Sequence, residues 1–444
     1  MTPAARIQAV IDILGELERT RQPVDRHLRD WGRTHRFAGS KDRAAIAERI
    51  YSIQRRRAWL AWRMESDAPR ALVIGSLLDE GDIETLFSGG GYGPSALTDA
   101  ERAVVIGAPS SEPPLHVRGE FPQFLEGELH RAFGDALLDE MIALQSRAPA
   151  DLRVNALKTS RDDLLHALRD EGCDAHATRY SPFAIRISSG DTKLGRGGLF
   201  LSGAFEFQDE AAQIAALLCG AQPGMRVLDL AAGAGGKSLA LAAIMQNEGE
   251  IVASDVRSEA LTELERRAMR AGVTIIQTIN LPLPHEVGER AGVRGRQTQN
   301  SIEPPPHPDP LPLKGGEGNE LYDVVLLDAP CSGTGTWRRQ PELRWRFTPE
   351  RLTELRATQD ALLKQAASLV KPGGRLVYAT CSILPSENED RVAAFLETHR
   401  DFAVVPVADV WPGLPMTRGH FFHASPLSTQ TDGFFTAVLQ KQAD

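Results

Sequence analysis

Two of the four cysteines stand where a chain does chemistry rather than packs. Cys331 lies in Asp328-Ala329-Pro330-Cys331-Ser332-Gly333-Thr334-Gly335-Thr336, and Cys381 in Ala379-Thr380-Cys381-Ser382. Each segment follows an apolar run that reads as a strand, DVVLLDAP at 323–330 and RLVYATC at 375–381. Both thiols are therefore expected at strand carboxyl ends, where an open α/β sheet binds its ligand. Their neighbours are Ser, Thr, Pro and Gly, which suit a loop better than a core. A thiolate is the reactive form of cysteine, and two thiols in one crevice suit a nucleophile with an assistant. A structural disulfide between them is the alternative, and it fits poorly in a reducing compartment. Cys219, on an apolar helix, and Cys173 read as inert core residues. The residues alone do not order Cys331 and Cys381 as attacker and assistant.

A second constellation runs Asp229-Leu230-Ala231-Ala232-Gly233-Ala234-Gly235-Gly236-Lys237-Ser238, between a strand and a helix. Its glycines permit a tight turn and close ligand approach, and the following helix start favours a polar or anionic group. Gly236-Lys237-Ser238 resembles the end of a phosphate-binding P-loop, with Asp328 as a magnesium-holding acid. That pattern needs glycine five residues before Gly236, and Ala231 stands there. The better reading is a nucleoside cofactor site, because Asp255 ends the next strand, where a ribose-binding acid belongs.

These residues need a frame that carries strand ends to one side. From 205 onward, helix 206–219, strand 226–232, helix 236–247, strand 250–255, helix 257–271 and strand 273–279 follow one another; strands 323–330 and 375–381 flank helix 349–370, helix 386–399 follows, and two further apolar runs end the chain. Apolar strands alternating with helices predict an α/β fold with a mostly parallel sheet covered on both faces. Before it, strand, helix and strand predict a small α+β unit within 147–200, and 1–140 reads as helical, with Ile7, Val10, Ile11, Leu14 and Leu17 at helical spacing. The Pro/Gly-rich stretch 294–318 reads as a disordered insertion, a lid or polyproline segment being the alternative.

The whole chain has 444 residues and a formal charge of −9, which at face value argues against nucleic acid. The charge is unevenly placed: residues 1–63 hold 14 Lys+Arg against 7 Asp+Glu, leaving −16 for the remainder. Arg55, Arg56 and Arg57 end a helical pattern there and are candidates for RNA or DNA contact, a solvated helix face being the alternative. No stretch reaches the apolar length of a membrane span. Four scattered cysteines exclude a disulfide scaffold, and no metal site is expected. The first twenty residues do not resemble a secretion signal, so a cytoplasmic location is expected.

On these motifs the chain resembles the RsmB/Sun (Fmu) family of bacterial RNA cytosine-5 methyltransferases. RVLDLAAGAGGKS is similar to the family's VLDxCAAPGGKT loop, and DAPCSGTGT and ATCS to its two cysteine motifs, in that order and spacing. FQDEAAQ, RVNALKTSRDDLLHAL and TDGFFTAVL resemble further family segments, and FAGSKDRAAIAERIYSIQRRR its NusB-like helical domain. The resemblance implies a Rossmann-like class I methyltransferase domain at 201–442 with a seven-stranded, mostly parallel sheet, S-adenosyl-L-methionine as cofactor, and a monomer acting on ribosomal RNA. It implies Cys381 as the nucleophile on cytosine C6, Asp328 as the group at the base, and Cys331 as the assistant in release. Ala231, Ala232, Gly233, Ala234, Gly235, Gly236, Lys237, Asp255 and Asp328 would hold the cofactor. Ala231 and Ala234 stand where the family usually has Cys and Pro. Asn280 lies nearest the family's adenine-facing Asp. The Arg–Trp cluster of Trp337, Arg338, Arg339, Arg344, Trp345 and Arg346, next to the Cys331 motif, is suited to holding phosphates and stacking bases; core packing of Trp345 is the alternative. Two other readings remain open: an RNA-binding relative without catalysis, and a P-loop NTPase.

Overall fold

The computed structural model describes residues 1–81, 83–107, 109, 111–189, 194–280, 321–414 and 417–443. The expected insertion at 294–318 lies outside them. The described chain divides into two compact units, Met1–Ala148 with Thr334–Thr348, and Pro149–Gly333 with Pro349–Asp444.

The first unit is helical. Helix Pro3–Thr20 begins on Thr2, whose side-chain oxygen accepts from the Ala5 N–H, and has proline in its first turn. Ile7, Val10, Ile13, Leu14 and Leu17 are buried in one cluster with Ile46, Ile50 and Ile53 of helix Ser40–Arg55. The helical spacing is thus explained by a shared core.

Thr334–Thr348 belongs to this helical unit, 186 residues beyond its first segment. The Trp337 indole is 1% exposed and the Arg344 side chain wholly buried. Arg344 donates to the carbonyls of Glu120 at 2.8 Å and Leu144 at 3.3 Å and lies over the Trp337 ring at 5.1 Å. The Trp345 indole N–H donates to the Gln54 carbonyl at 2.9 Å. These anchors correct the expectation that Arg344 holds a phosphate, because its guanidinium already serves buried carbonyls that water cannot reach. Arg338 is likewise buried, at 3% exposure, and Trp345 is half-buried.

The second unit begins with an antiparallel sheet of β1 (Ala150–Val154), β2 (Asp174–Ala177), β3 (Ala184–Ser189) and β4 (Phe205–Phe207), in the order β2-β3-β1-β4. Helix Arg161–Asp170 joins β1 to β2 and buries Leu164, Leu165 and Leu168 in the same cluster as Leu152, Ile185 and Phe205. A large sheet follows, of β5 (Arg226–Asp229), β6 (Glu250–Asp255), β7 (Ile276–Asn280), β8 (Tyr322–Asp328), β9 (Val370–Thr380), β10 (Phe402–Val405), β11 (Thr417–Arg418), β12 (Phe421–Ala424) and β13 (Phe434–Lys441). Its order is β11-β12-β13-β9-β8-β5-β6-β7, with β10 beside β13; β7 through β9 are parallel neighbours and the rest pair antiparallel. Nine described strands stand where seven were expected: β10 and β13 are the two apolar runs that end the chain, and β12 with the two-residue β11 adds beyond β13.

Successive residues of the central strands bury on opposite faces. Val227, Ile251, Ala253, Val324, Leu326, Val377 and Ala379 join one cluster with helices Glu210–Leu217, Gly236–Ile244 and Ser258–Ala271. Leu228, Val252, Val325, Leu327, Leu376 and Tyr378 join another with helices Pro349–Leu369 and Glu389–Thr398. The fold is α/β and Rossmann-like, and two-sided burial explains why its strands read as unbroken apolar runs. The chain runs outward from β5 to β7 and returns to β8 on the other side of β5, so the topological switch point lies between β5 and β8.

Candidate active site

A cavity of about 540 Å³ opens at that switch point, lined by Leu230, Ala231, Ala232, Gly233, Ala234, Gly236, Asp255, Val256, Arg257, Asp328, Pro330, Leu362 and Gln365. The loop leaving β5 is held by several groups. Gly233 and Gly235 have φ of +55° and +77°, a region that side chains disfavour. A Cβ on Gly235 would meet Leu264 Cγ at 2.3 Å, so the loop can lie this close to helix Ser258–Ala271 only with glycine there. Gly235 also caps helix Gly236–Ile244, whose first N–H groups face the loop.

Asp255, 7% exposed, ends β6 with its carboxylate turned to this loop. It accepts from the Gly233 N–H at 2.8 Å and from the Arg257 backbone at 2.9 Å, and the Arg257 guanidinium closes an ion pair at 3.0 Å. Burial pushes its carboxyl up, yet Arg257 and the Gly233 N–H outweigh that and hold it below the usual value. Asn280 pairs with Asp255 in register at the end of β7; it is exposed and outside the cavity lining.

Lys237, 8% exposed, is tied to Asp328 rather than turned to the cavity. Its Nζ lies 2.6 Å from the Asp328 carboxylate and 4.9 Å from the Phe434 ring centre. Burial opposes the ammonium charge, but Asp328, Asp229 and Cys381 together raise its pKa. Asp328 keeps a partly exposed carboxylate at the cavity wall.

Cys331 and Cys381, the predicted pair, do meet. Their sulfurs are 3.4 Å apart, both thiols free and half-buried, at the ends of β8 and β9. The Cys381 sulfur beside it, reinforced by its packed surroundings, drives the Cys331 thiol well above the ordinary cysteine range. Cys173 and Cys219 are buried, as expected of core cysteines.

Other holding groups lacked a local signal. Arg153 of β1, buried, donates to the Gly236 carbonyl. Arg267 donates to the Ala234 carbonyl at 2.6 Å while paired with buried Glu206 at 3.0 Å. Each lies far from the loop in sequence, so no spacing rule connects them. Of the arginines expected on nucleic acid, Arg57 is paired with Glu18 at 2.7 Å and Arg55 is half-buried over the Tyr51 ring. Arg56, over the Trp59 ring at 4.6 Å, and Arg339 are exposed.

The family model described as 16S rRNA methyltransferase RsmB/F matches residues 216–294 and 305–440. A second, the RsmF/B-like ferredoxin-like domain, matches 121–192. The probable ribosomal RNA small subunit methyltransferase B of Synechocystis is 33% identical over 331 residues, covering 72% of this chain and 67% of that protein. The chain belongs to the RsmB/F methyltransferase family. Ribosomal RNA small subunit methyltransferase F of Serratia proteamaculans is also 33% identical, and there the match spans 72% of this chain and 63% of the relative. Among solved structures, that of PH0851 superposes with a TM-score of 0.74 at 26% identity over 99% of each chain. In RsmB/F terms, the matched region carries both cysteine loops, the β5 loop and Asp255.

Proposed function

We propose that this chain transfers a methyl group from S-adenosylmethionine to C5 of a cytosine in RNA, with small-subunit ribosomal RNA as substrate. The observation that carries this reading is the pair of free thiols 3.4 Å apart, beside a nucleoside-sized cavity whose wall includes Asp328. The cavity suits the cofactor chemically. Asp255 offers ionised acceptors for ribose hydroxyls, the β5 loop offers backbone groups, and Val256 and Leu362 offer apolar walls for a purine. S-adenosylmethionine supplies an electrophilic methyl group when bound there.

The chain's own residues do the rest. Cys381 adds as thiolate to C6 of the cytosine, forming an S–C6 bond and making C5 nucleophilic. Asp328, oriented by Lys237, steadies the adduct by bringing a proton to N3 or by accepting a hydrogen bond from N3 once it is protonated. Once C5 carries the methyl group, its proton passes to water, the freed electron pair restores the C5–C6 double bond, and the S–C6 bond breaks to return the Cys381 thiolate; Cys331 assists that elimination. The base must leave its stack to reach the thiols, and RNA single strands permit that.

Separate replacement of the cysteines tests the assignment. Cys381→Ala should abolish methylation, whereas Cys331→Ala should accumulate a covalent protein–RNA adduct visible in denaturing gels. The reverse pattern would exchange the two roles, and methylation at an atom other than C5 would end the proposal. Bisulfite mapping of RNA from cells with and without the protein identifies the nucleotide.

A further inference from the structure

Glu387 lies six residues beyond Cys381, in the turn Pro385–Glu387, and is wholly buried. Its Oε1 accepts from the Ser332 backbone N–H at 2.9 Å and from Gln359 Nε2 at 3.1 Å. Its Oε2 accepts from the hydroxyls of Ser332 and Ser382, at 2.5 Å each. Ser332 directly follows Cys331, and Ser382 directly follows Cys381. Gln359 also donates to the carbonyl of Pro330, the residue before Cys331, at 3.0 Å. On the other side, Asn388 donates to the Ser382 carbonyl at 2.9 Å and accepts from the Thr380 hydroxyl at 2.6 Å. The Tyr378 hydroxyl donates to the Glu387 carbonyl at 2.6 Å and so fixes the turn to β9.

One buried carboxylate is thus the common acceptor for both cysteine loops. Burying a carboxylate is costly, and apolar side chains fill such space at less cost. A charge in that position brings short, directional hydrogen bonds, which apolar packing lacks. We propose that Glu387 is the positioning residue of the reaction, clamping the Cys331 and Cys381 loops together so that both sulfurs address one base. The inference rests on the proposed two-cysteine chemistry but concerns a residue that touches neither cofactor nor base. The charge acts in the same sense on protonation: after the Cys381 sulfur and burial, Glu387 adds to the forces that keep the proton on Cys331.

Oxidised glutathione probes the clamp in the full chain without RNA or cofactor. One protein thiolate displaces a glutathione thiolate to form a mixed disulfide; the second thiolate then displaces the other glutathione, closing Cys331–Cys381. Mass spectrometry follows both steps. Glu387→Gln keeps the shape but presents an amide to donors, so the closing step should slow by about tenfold relative to the first step. In methylation assays its kcat should fall about 100-fold with KM for RNA and cofactor within twofold, and Glu387→Asp should recover part of the loss. If Glu387→Gln does not fold, the Ser332→Ala/Ser382→Ala double variant removes both hydroxyl bonds to Oε2 and loosens the clamp while leaving the carboxylate and its bond to the residue-332 backbone N–H. Closure at the native rate, or a loss of activity that appears in KM or matches the unfolded fraction, overturns the inference. A native chain that closes the disulfide but methylates no cytosine refutes the proposed function instead, and the clamp is still measured.

Discussion

Replacing Asp229 by Asn tests how the floor of the cofactor loop is built. Asp229 ends β5 at 1% exposure, and its Oδ2 accepts from the Ser238 hydroxyl at 2.6 Å. Its Oδ1 has no hydrogen-bond partner among the described residues. Burial pushes this carboxyl from 3.8 up to about 7; Ser238 and Lys237 pull it down, and Asp328 and Asp255 push it further up. Between those two values the folded chain holds a proton that the unfolded chain has lost. Stability therefore falls as pH rises through this window and levels off above the folded value. Asn keeps the acceptor for Ser238 and carries no charge, so the variant lacks this loss. Going from pH 5 to the folded value near 7 spans two pH units at about 1.36 kcal/mol each, so the variant should gain roughly 3 kcal/mol on the native chain. Differences between variant and native chain cancel other groups that titrate nearby, including Glu120, which burial also raises to about 7. Five of the six tryptophans lie in the helical unit, so fluorescence would follow the wrong part of the chain. Hydrogen exchange of the β5 and β6 amides in urea, at pH 5 and pH 8.5, reads the correct one. Parallel pH profiles for the two proteins would refute the reasoning, since they would mean that Asp229 ionises without penalty.

Gly235→Ala forces a side chain into a left-handed φ and against Leu264; the two effects together should destabilise the catalytic unit by about 2–4 kcal/mol and weaken cofactor binding, read by thermal unfolding and calorimetry. Asp255→Asn removes the charge that holds Gly233 and Arg257, and calorimetry should find S-adenosylmethionine affinity lower by about 10–100-fold with the melting temperature little changed. Arg344→Ala leaves the Glu120 and Leu144 carbonyls unserved, so tryptophan fluorescence should record a loss of about 2–4 kcal/mol in the helical unit, and Arg344→Lys should not restore it. RNA binding by the folded fraction of either Arg344 variant should equal that of the native chain; a selective loss would return Arg344 to the RNA surface.

Much of the catalytic unit was legible in advance because its signals are local. A strand buried on both faces is an apolar run whatever surrounds it, and strand ends carry ligand groups in any open parallel sheet. Cys331, Cys381, Asp328 and Asp255 were found by that logic, and all lie at strand ends in the structure. The separation of core cysteines from loop cysteines followed from their neighbours alone. Within the Arg–Trp cluster, Arg344 misled for an equally physical reason. A composition of arginine and indole suits both RNA and a buried cation–π anchor, and only burial distinguishes them.

Element types, their order and the candidate reactive side chains are thus legible in short-range pattern, since secondary structure and loop chemistry depend on residues a few positions apart. Which elements share a core was decided in three dimensions. The membership of Thr334–Thr348 in the helical unit, the hold of Arg153 and Arg267 on the β5 loop, and the joining of two serines by Glu387 all link residues distant in sequence. Such links have no period and no spacing rule. They arise when folding leaves buried donors and acceptors that must find one another once water has been excluded.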